Sequence, residues 1–471
     1  MGLVRNLKLR RPRRARVELG RFYNVDHRVD GDVGAFNRAN LCYNFSCKDG
    51  TLKTSFGLKN MQSTYKVPNN DLINAVYFYK HNDYVNGVND DRIIAYGTSG
   101  DMYTVSVNGG NYVKIEGLHF SKKPIGVCYN YNSKDVIIFS VEGEGIKIYD
   151  GQSVVSVPDA PSVTSMCIHN ERLFITSGGV DGALWFSDDF DPTNWNVSLT
   201  EAGFIDMSDD RGEMLEIVAF GGYVYVFRDY GVSKVTAYGD QSEFSVSHLL
   251  VSCGKICKNT IIVCGDCILF FASDGLYRLD GYTAVKISEP WFDNVETTKN
   301  WVKGVYYNGY AYYLISVKIN TGLQRGILAI KPDGSDYEFS LIAQITDISV
   351  MNGQNIYKLF AVERMKMGVF DVEKGAGWDG DNIFMEWQGK ETDFGIKAKF
   401  KRLDKVKFFS NSPVRLTVVC DGEENVYELT PNNGVCEACT WLKGERFALK
   451  FYAAGVDVEI SAVELEFQYY S

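Results

Sequence analysis

The stretch from Ala183 to Trp195, ALWFSDDFDPTNW, decides how the rest of the chain is read. A short apolar strand runs into a turn rich in Ser and Asp, and a Trp follows. In such turns the carboxylate and hydroxyl groups bond nearby backbone amides and so hold the reversal of the chain. Ser187, Asp189 and Thr193 are therefore expected to fix a β-hairpin turn, with Trp185 and Trp195 packed against its strands.

The same grammar recurs. RIIAYGTSGDMYTV, DVIIFSVEGEGIKIYDG, YVYVFRDYGVSKV and CILFFASDGLYRLDG each join two alternating strands through small or polar residues and a glycine. Their turn glycines, Gly100, Gly145, Gly231 and Gly275, lie about one, two and one periods of about 45 residues apart. The double gap holds the opening stretch, with Gly182 as its turn glycine. Looser copies surround Gly50, Gly326 and Gly368. A period of this length in strand-rich sequence indicates the four-stranded blades of a β-propeller.

The expected fold is thus all-β, with a propeller of about seven blades, six or eight being the alternatives. The strands around Gly50 are expected to complete the last blade, because an open ring would leave unpaired amides at its edge. The repeat stops at EKGAGWDGDN (Glu373 to Asn382), and short alternating strands follow, as in a small β-sandwich. The expected division is 1–40, an extended basic N-terminal arm; 41–378, the propeller; and 379–471, the C-terminal β-sandwich.

Composition agrees: 29 Tyr, 28 Phe and 45 Gly tilt the chain toward strands and turns. The formal net charge is -10, yet Arg5, Lys8, Arg10, Arg11, Arg13, Arg14 and Arg16 form a basic run with no acid among them. Without these seven groups the rest of the chain stands at -10 minus 7, or -17. Like charge this dense disfavours structure in isolation, so the arm is expected to order on a partner. An acidic protein neighbour suits it better than DNA; a solubilising tail is the third reading. No apolar run follows the basic start, so no secretory leader is expected, and eleven cysteines without a framework of pairs suggest synthesis in a reducing cytoplasm.

Catalytic chemistry finds little support. ALWFSDDFDPTNW is similar to the Asp-box of sialidase-type propellers, but Asp191 stands where that motif has glycine and Trp195 comes one residue late. A sialidase also needs converging cations for its substrate carboxylate; Arg92, Arg172, Arg211, Arg228, Arg278, Arg325 and Arg364 are scattered. The five histidines are dispersed, and no nucleophile, metallohydrolase or phosphate-loop motif occurs. Cys253, Cys257, Cys264 and Cys267 read as packed strand residues rather than zinc ligands. No enzyme activity, cofactor or metal is expected.

Over nearly its whole length the chain resembles the neck and tail-nozzle (tail-completion, or stabilisation) propeller proteins of short-tailed bacteriophages. The resemblance rests on NFSCKDGTLKTSFGL (Asn44 to Leu58), NERLFITSGGVDGALWFSDDFDPTNW (Asn170 to Trp195), GGYVYVFRDYGVSKVTAYG, VCGDCILFFASDGLYRLDGYTAVKIS and the closing VELEFQYY. It implies a non-catalytic virion protein in the tail or neck, synthesised in the host cytoplasm. There it would form a ring of about six copies below the portal, touching portal, adaptor and tail proteins, sealing packaged DNA and lining its exit without reading its sequence. The competing expectations are a glycan- or receptor-binding propeller and a sialidase-like glycoside hydrolase.

Overall fold

The computed structural model of the chain describes residues 12–28, 36–60, 67–68, 71–177, 182–249, 251–297, 299, 301–319, 322–341, 345–353, 356–363, 368–374, 377–378, 380–396 and 400–469. Among them there are strands, turns and two short 3-10 turns, with no α-helix, and hence no helix long and apolar enough to cross a membrane.

Seven antiparallel blades follow one another: 73–119, 125–157, 165–206, 214–249, 262–286, 303–341, and 345–374 completed by Phe56–Asn60; each has four strands, the first two blades are joined into one sheet by the pairing of Lys134 with Asp83, and Val295–Glu296 adds a fifth strand to the sixth. Their second strands are apolar on both faces, because each blade is packed between two neighbours. In Tyr223–Arg228 of blade 4, Val224 and Val226 pack toward blade 3, while Tyr225 and Phe227 pack toward blade 5. In Cys267–Ala272 of blade 5, Ile268 and Phe270 face blade 4, whereas Leu269 and Phe271 face blade 6. Period-two alternation thus fills two interfaces from one strand.

The turn glycines take equivalent places. Gly100 and Gly182 directly precede the third strands of blades 1 and 3, and Gly145, Gly231 and Gly275 open those of blades 2, 4 and 5. At Gly100 the requirement is double: φ is +90°, and an added Cβ would lie 2.6 Å from the Phe120 carbonyl oxygen. Gly326 departs from the expected pattern. It lies inside Gly322–Ile330, opposite Ile315 and Leu341, because the central hairpin of blade 6 is longer and turns earlier.

The ring closes by an N-terminal strand, though not the one expected. Phe56–Asn60 pairs antiparallel with Gly368–Lys374, Leu58 opposite Val372. The strands flanking Gly50, Phe45–Ser46 and Leu52–Thr54, belong instead to the sandwich, where Leu52 and Ile460 are paired and buried.

The sandwich likewise differs from a purely C-terminal unit. One sheet runs Val435–Gly444, Lys401–Ser410, Glu459–Tyr469, Leu52–Thr54, Phe45–Ser46, with Arg13–Leu19 also on Glu459–Tyr469. The other runs Tyr23–Val25, Arg38–Tyr43, Ile383–Gly389, Phe447–Gly455, Val414–Cys420, Glu423–Leu429. Much of the expected free arm is therefore folded. Ala15, Val17 and Leu19 alternate with the arginines and sit opposite Phe467, Leu465 and Val463 at the sheet edge. That apolar alternation is strong enough to order the segment on its own chain.

Sandwich and propeller share one core. Trp387 and Phe451 of the sandwich, Tyr313 and Phe339 of blade 6, and Phe271 of blade 5 belong to a single buried cluster. Asn44 fastens the joint. Fully inside it, at φ +59°, Asn44 donates from its backbone N–H to the Phe339 carbonyl (2.8 Å) and from its side-chain amide to the Phe384 carbonyl (2.6 Å). Its Oδ1 accepts the Leu341 N–H at 2.7 Å. One side chain thus bonds both bodies.

The axial channel and its lysine-rich mouth

The first strand of each blade lines the propeller axis, leaving a channel cavity of about 1140 Å³. A second cavity of about 570 Å³ adjoins it and shares Lys123, Ile125 and Asn259 with its wall. This second space is formed where the chain enters the first strands of successive blades, and we describe it as the mouth.

An ion cluster occupies the channel wall. Asp347, on the first strand of blade 7, has a fully buried side chain that accepts the Lys123 ammonium (2.7 Å), the Lys303 ammonium (3.0 Å) and the Val76 N–H (3.1 Å). Burial opposes ionisation of Asp347, but the two ammonium groups and their hydrogen bonds outweigh it and hold its pKa below the ordinary carboxylate value. For Lys303 burial dominates and lowers the pKa, with Asp347 offsetting only part. Two cations on one carboxylate leave a net positive charge in the wall. Nearby, Arg325 lies over the Trp301 ring at 4.4 Å and donates to the Ile345 carbonyl.

Glu216 lines the channel from blade 4, next to a bulge in its strand. It accepts the Asn259 N–H at 2.9 Å, so it ties blade 4 to the segment leading into blade 5. Burial pushes its pKa up to about 7, against the partial opposition of the Asn259 N–H and Lys258.

The residues singled out from sequence fall elsewhere. Arg5, Lys8, Arg10 and Arg11 lie outside the described residues. Arg13, Arg14 and Arg16 are on the exposed edge strand of the sandwich, where Arg16 pairs with Glu464. In the opening stretch Ser187 is fully buried; its Oγ accepts the Leu173 N–H (3.0 Å) and donates to the Asp188 carbonyl (3.0 Å). Trp195 is buried between blades 2 and 3, its indole N–H donating to Pro192. Asp189 only approaches Arg172, at 4.0 Å. The carboxylates that cap backbone amides are Asp188, toward Asp189 and Glu201, and Asp191, toward Thr193. Ser187, Asp188 and Asp191 hold the turn, and Asp189, expected to do so, does not.

The arginines do not form one cluster: Arg211 and Arg228 share Asp209, in the segment between blades 3 and 4, whereas Arg92 pairs with Asp90, Arg278 with Asp266 and Arg172 with Glu201 at 2.6 Å. Of these only Arg325 reaches the channel; Arg364 lies outside the described residues. Among the described residues no group of His, Cys, Asp and Glu is arranged to hold a metal ion. Cys264 and Cys267 face each other across a hairpin as buried thiols whose pKa burial raises.

The mouth lysines were missed in the sequence. SKKP, GKICKN and TTKNWVKG each place lysine at or just before the inner strand of a blade, and that repeated position was the available signal.

No protein-family model matches the chain, and no curated protein sequence matches it. Solved structures similar to it include BBS1N in complex with ARL6DN, at 10% identity over 64% of this chain and 91% of that one, TM-score 0.41. PorZ, a surface component of the type-IX secretion system of Porphyromonas gingivalis, is 9% identical over 80% of this chain and 46% of its own, TM-score 0.41. The Neurospora crassa Pan2 WD40 domain is 8% identical over 68% of this chain and 95% of its own, TM-score 0.40. At these values the strand pairing, and not the likeness, establishes the propeller.

Proposed function

We propose that this chain is a non-catalytic structural component of a bacteriophage virion, a tail-nozzle, hub or neck protein. In this reading copies assemble as a ring of about six below the portal, hold back packaged DNA and form part of its exit. The motifs from Asn44 to Leu58 and from Asn170 to Trp195 favour it. The observation that carries it is the strand Arg13–Leu19, which presents an exposed basic edge on an otherwise acidic body and continues toward the remaining basic residues. Such an edge suits contact with an acidic neighbour, and an acidic body discourages DNA from adhering as it passes.

Quantitative mass spectrometry of density-purified particles from an induced lysate of the source culture tests the reading. The expected result is this chain at a fixed small ratio to the portal. Absence from particles, with the chain present in the supernatant or cytosol, removes the assignment.

A further inference from the structure

The mouth of the axial channel concentrates cations in a protein that is acidic overall. Five lysines line it, Lys122, Lys123, Lys255, Lys258 and Lys299, against the carboxylates Glu142, Glu213 and Asp229. Three of these lysines are engaged. Lys123 is held by Asp347, Lys255 by Asp229 at 3.3 Å and Lys299 by Glu296 at 3.3 Å. Lys122 and Lys258 form no ion pair among the described residues.

These two arrive from different parts of the ring. Lys122 precedes the inner strand of blade 2 and Lys258 that of blade 5, three blades further round, yet both line the same space of about 570 Å³. Lysines that only keep loops soluble have no reason to share a concavity, where their charges repel one another. A low-dielectric wall also focuses their field on whatever enters. The hydroxyl-bearing residues Ser273 and Thr297 line the same wall and add polar groups to it.

We propose that this mouth binds a small, multiply charged anion bearing phosphate or carboxylate groups, held chiefly between Lys122 and Lys258. Ammonium groups serve such ligands as point charges with rotatable donors, so they do not demand the planar geometry that arginine would impose. The inference does not depend on the virion reading and concerns a different surface from the basic edge strand.

Calorimetric titration of the full-length protein with pyrophosphate and, separately, with citrate, at constant ionic strength, tests it. At least one anion is expected to bind saturably with Kd below about 1 mM. The double variant Lys122→Ala/Lys258→Ala should bind it about tenfold more weakly or worse. Lys122→Arg/Lys258→Arg, which keeps the charge, should retain most of the affinity. A charge-matched control on the sandwich, Lys407→Ala/Lys443→Ala, should bind as the wild type does. Preference for pyrophosphate identifies phosphate as the recognised group, and preference for citrate identifies carboxylate. No saturable binding of either anion, or equal weakening in the mouth and control variants, overturns the proposal. Circular dichroism of each variant separates lost binding from lost folding.

Discussion

The blades and the sandwich are made of the same alternating strands, but they are assembled over very different distances along the chain. The interfaces between blades 1 and 2, 2 and 3, 3 and 4, and 4 and 5 are each packed by residues of consecutive blades. The sandwich instead joins strands from 13–54 to strands from 383–469, and its core runs on into blades 5 and 6. Cooperativity should differ accordingly. A local interface can loosen with little consequence beyond its two blades, whereas damage to the shared core should release both bodies together.

Trp291 gives the strongest test. It is fully buried in the shared core, with ring centroids 5.7 Å from both Tyr337 and Phe339. Trp291→Ala should cost about 4 kcal/mol. In denaturant, one probe on the sandwich and one on blade 6 should shift together; two separate transitions would show that the two bodies unfold independently.

Phe174 is as deeply buried, but within the interface of blades 3 and 4, beside Phe186 at 5.7 Å. Phe174→Ala should cost about 3 kcal/mol. Amide exchange should quicken in those two blades while sandwich protection stays at its wild-type level. Loss of protection in the sandwich would show that the local interfaces are not local.

Glu216 adds a dependence on pH to the junction of blades 4 and 5. Its pKa is about 7 in the fold against an ordinary 4.5, so the folded state holds the proton more tightly than the unfolded chain. Its contribution to stability is complete below pH 4.5 and is lost as pH rises through 7, amounting to about 2 kcal/mol once solvent in the channel is allowed for. Glu216→Gln keeps an acceptor for the Asn259 N–H and should remove this loss. Denaturation midpoints at pH 5 and pH 8 check it; an unchanged pH profile in the variant would assign the dependence to another group.

Ser187 offers the smallest effect, confined to one blade. Ser187→Ala removes the Oγ that joins Leu173 and Asp188 and should cost about 1 kcal/mol, read as a small drop in denaturation midpoint. A cost rivalling that of Phe174→Ala would mean that the turn governs blade packing.

What could be read from the sequence follows the same division. Blades 1 to 5 are each made of one continuous stretch, so Gly100, Gly145, Gly182, Gly231 and Gly275 announce one turn each without knowledge of the rest. Gly326 misled because glycine inside a long strand carries the same letter as glycine in a turn. The sandwich strand Arg13–Leu19 was hidden by its charge: Ala15, Val17 and Leu19 gain meaning only opposite Val463, Leu465 and Phe467, more than four hundred positions away. The lysine mouth left one local trace, lysine repeated at or just before the inner strands, but Lys122 and Lys258 come to line one cavity only when the ring closes.

The pairing of Arg13–Leu19 with Glu459–Tyr469 also has a consequence in time. During synthesis Arg13–Leu19 is made more than four hundred residues before its partner and waits for it. At about 5–20 residues per second that delay is roughly 20 to 90 seconds. Phe56–Asn60 waits about two-thirds as long for Gly368–Lys374, so blades 1 to 6 can form on the ribosome while the strand that closes the ring is still unmatched. The arginines interleaved through Arg13–Leu19 then have a second use: they keep a waiting, half-apolar strand from pairing with another chain before its own partner emerges.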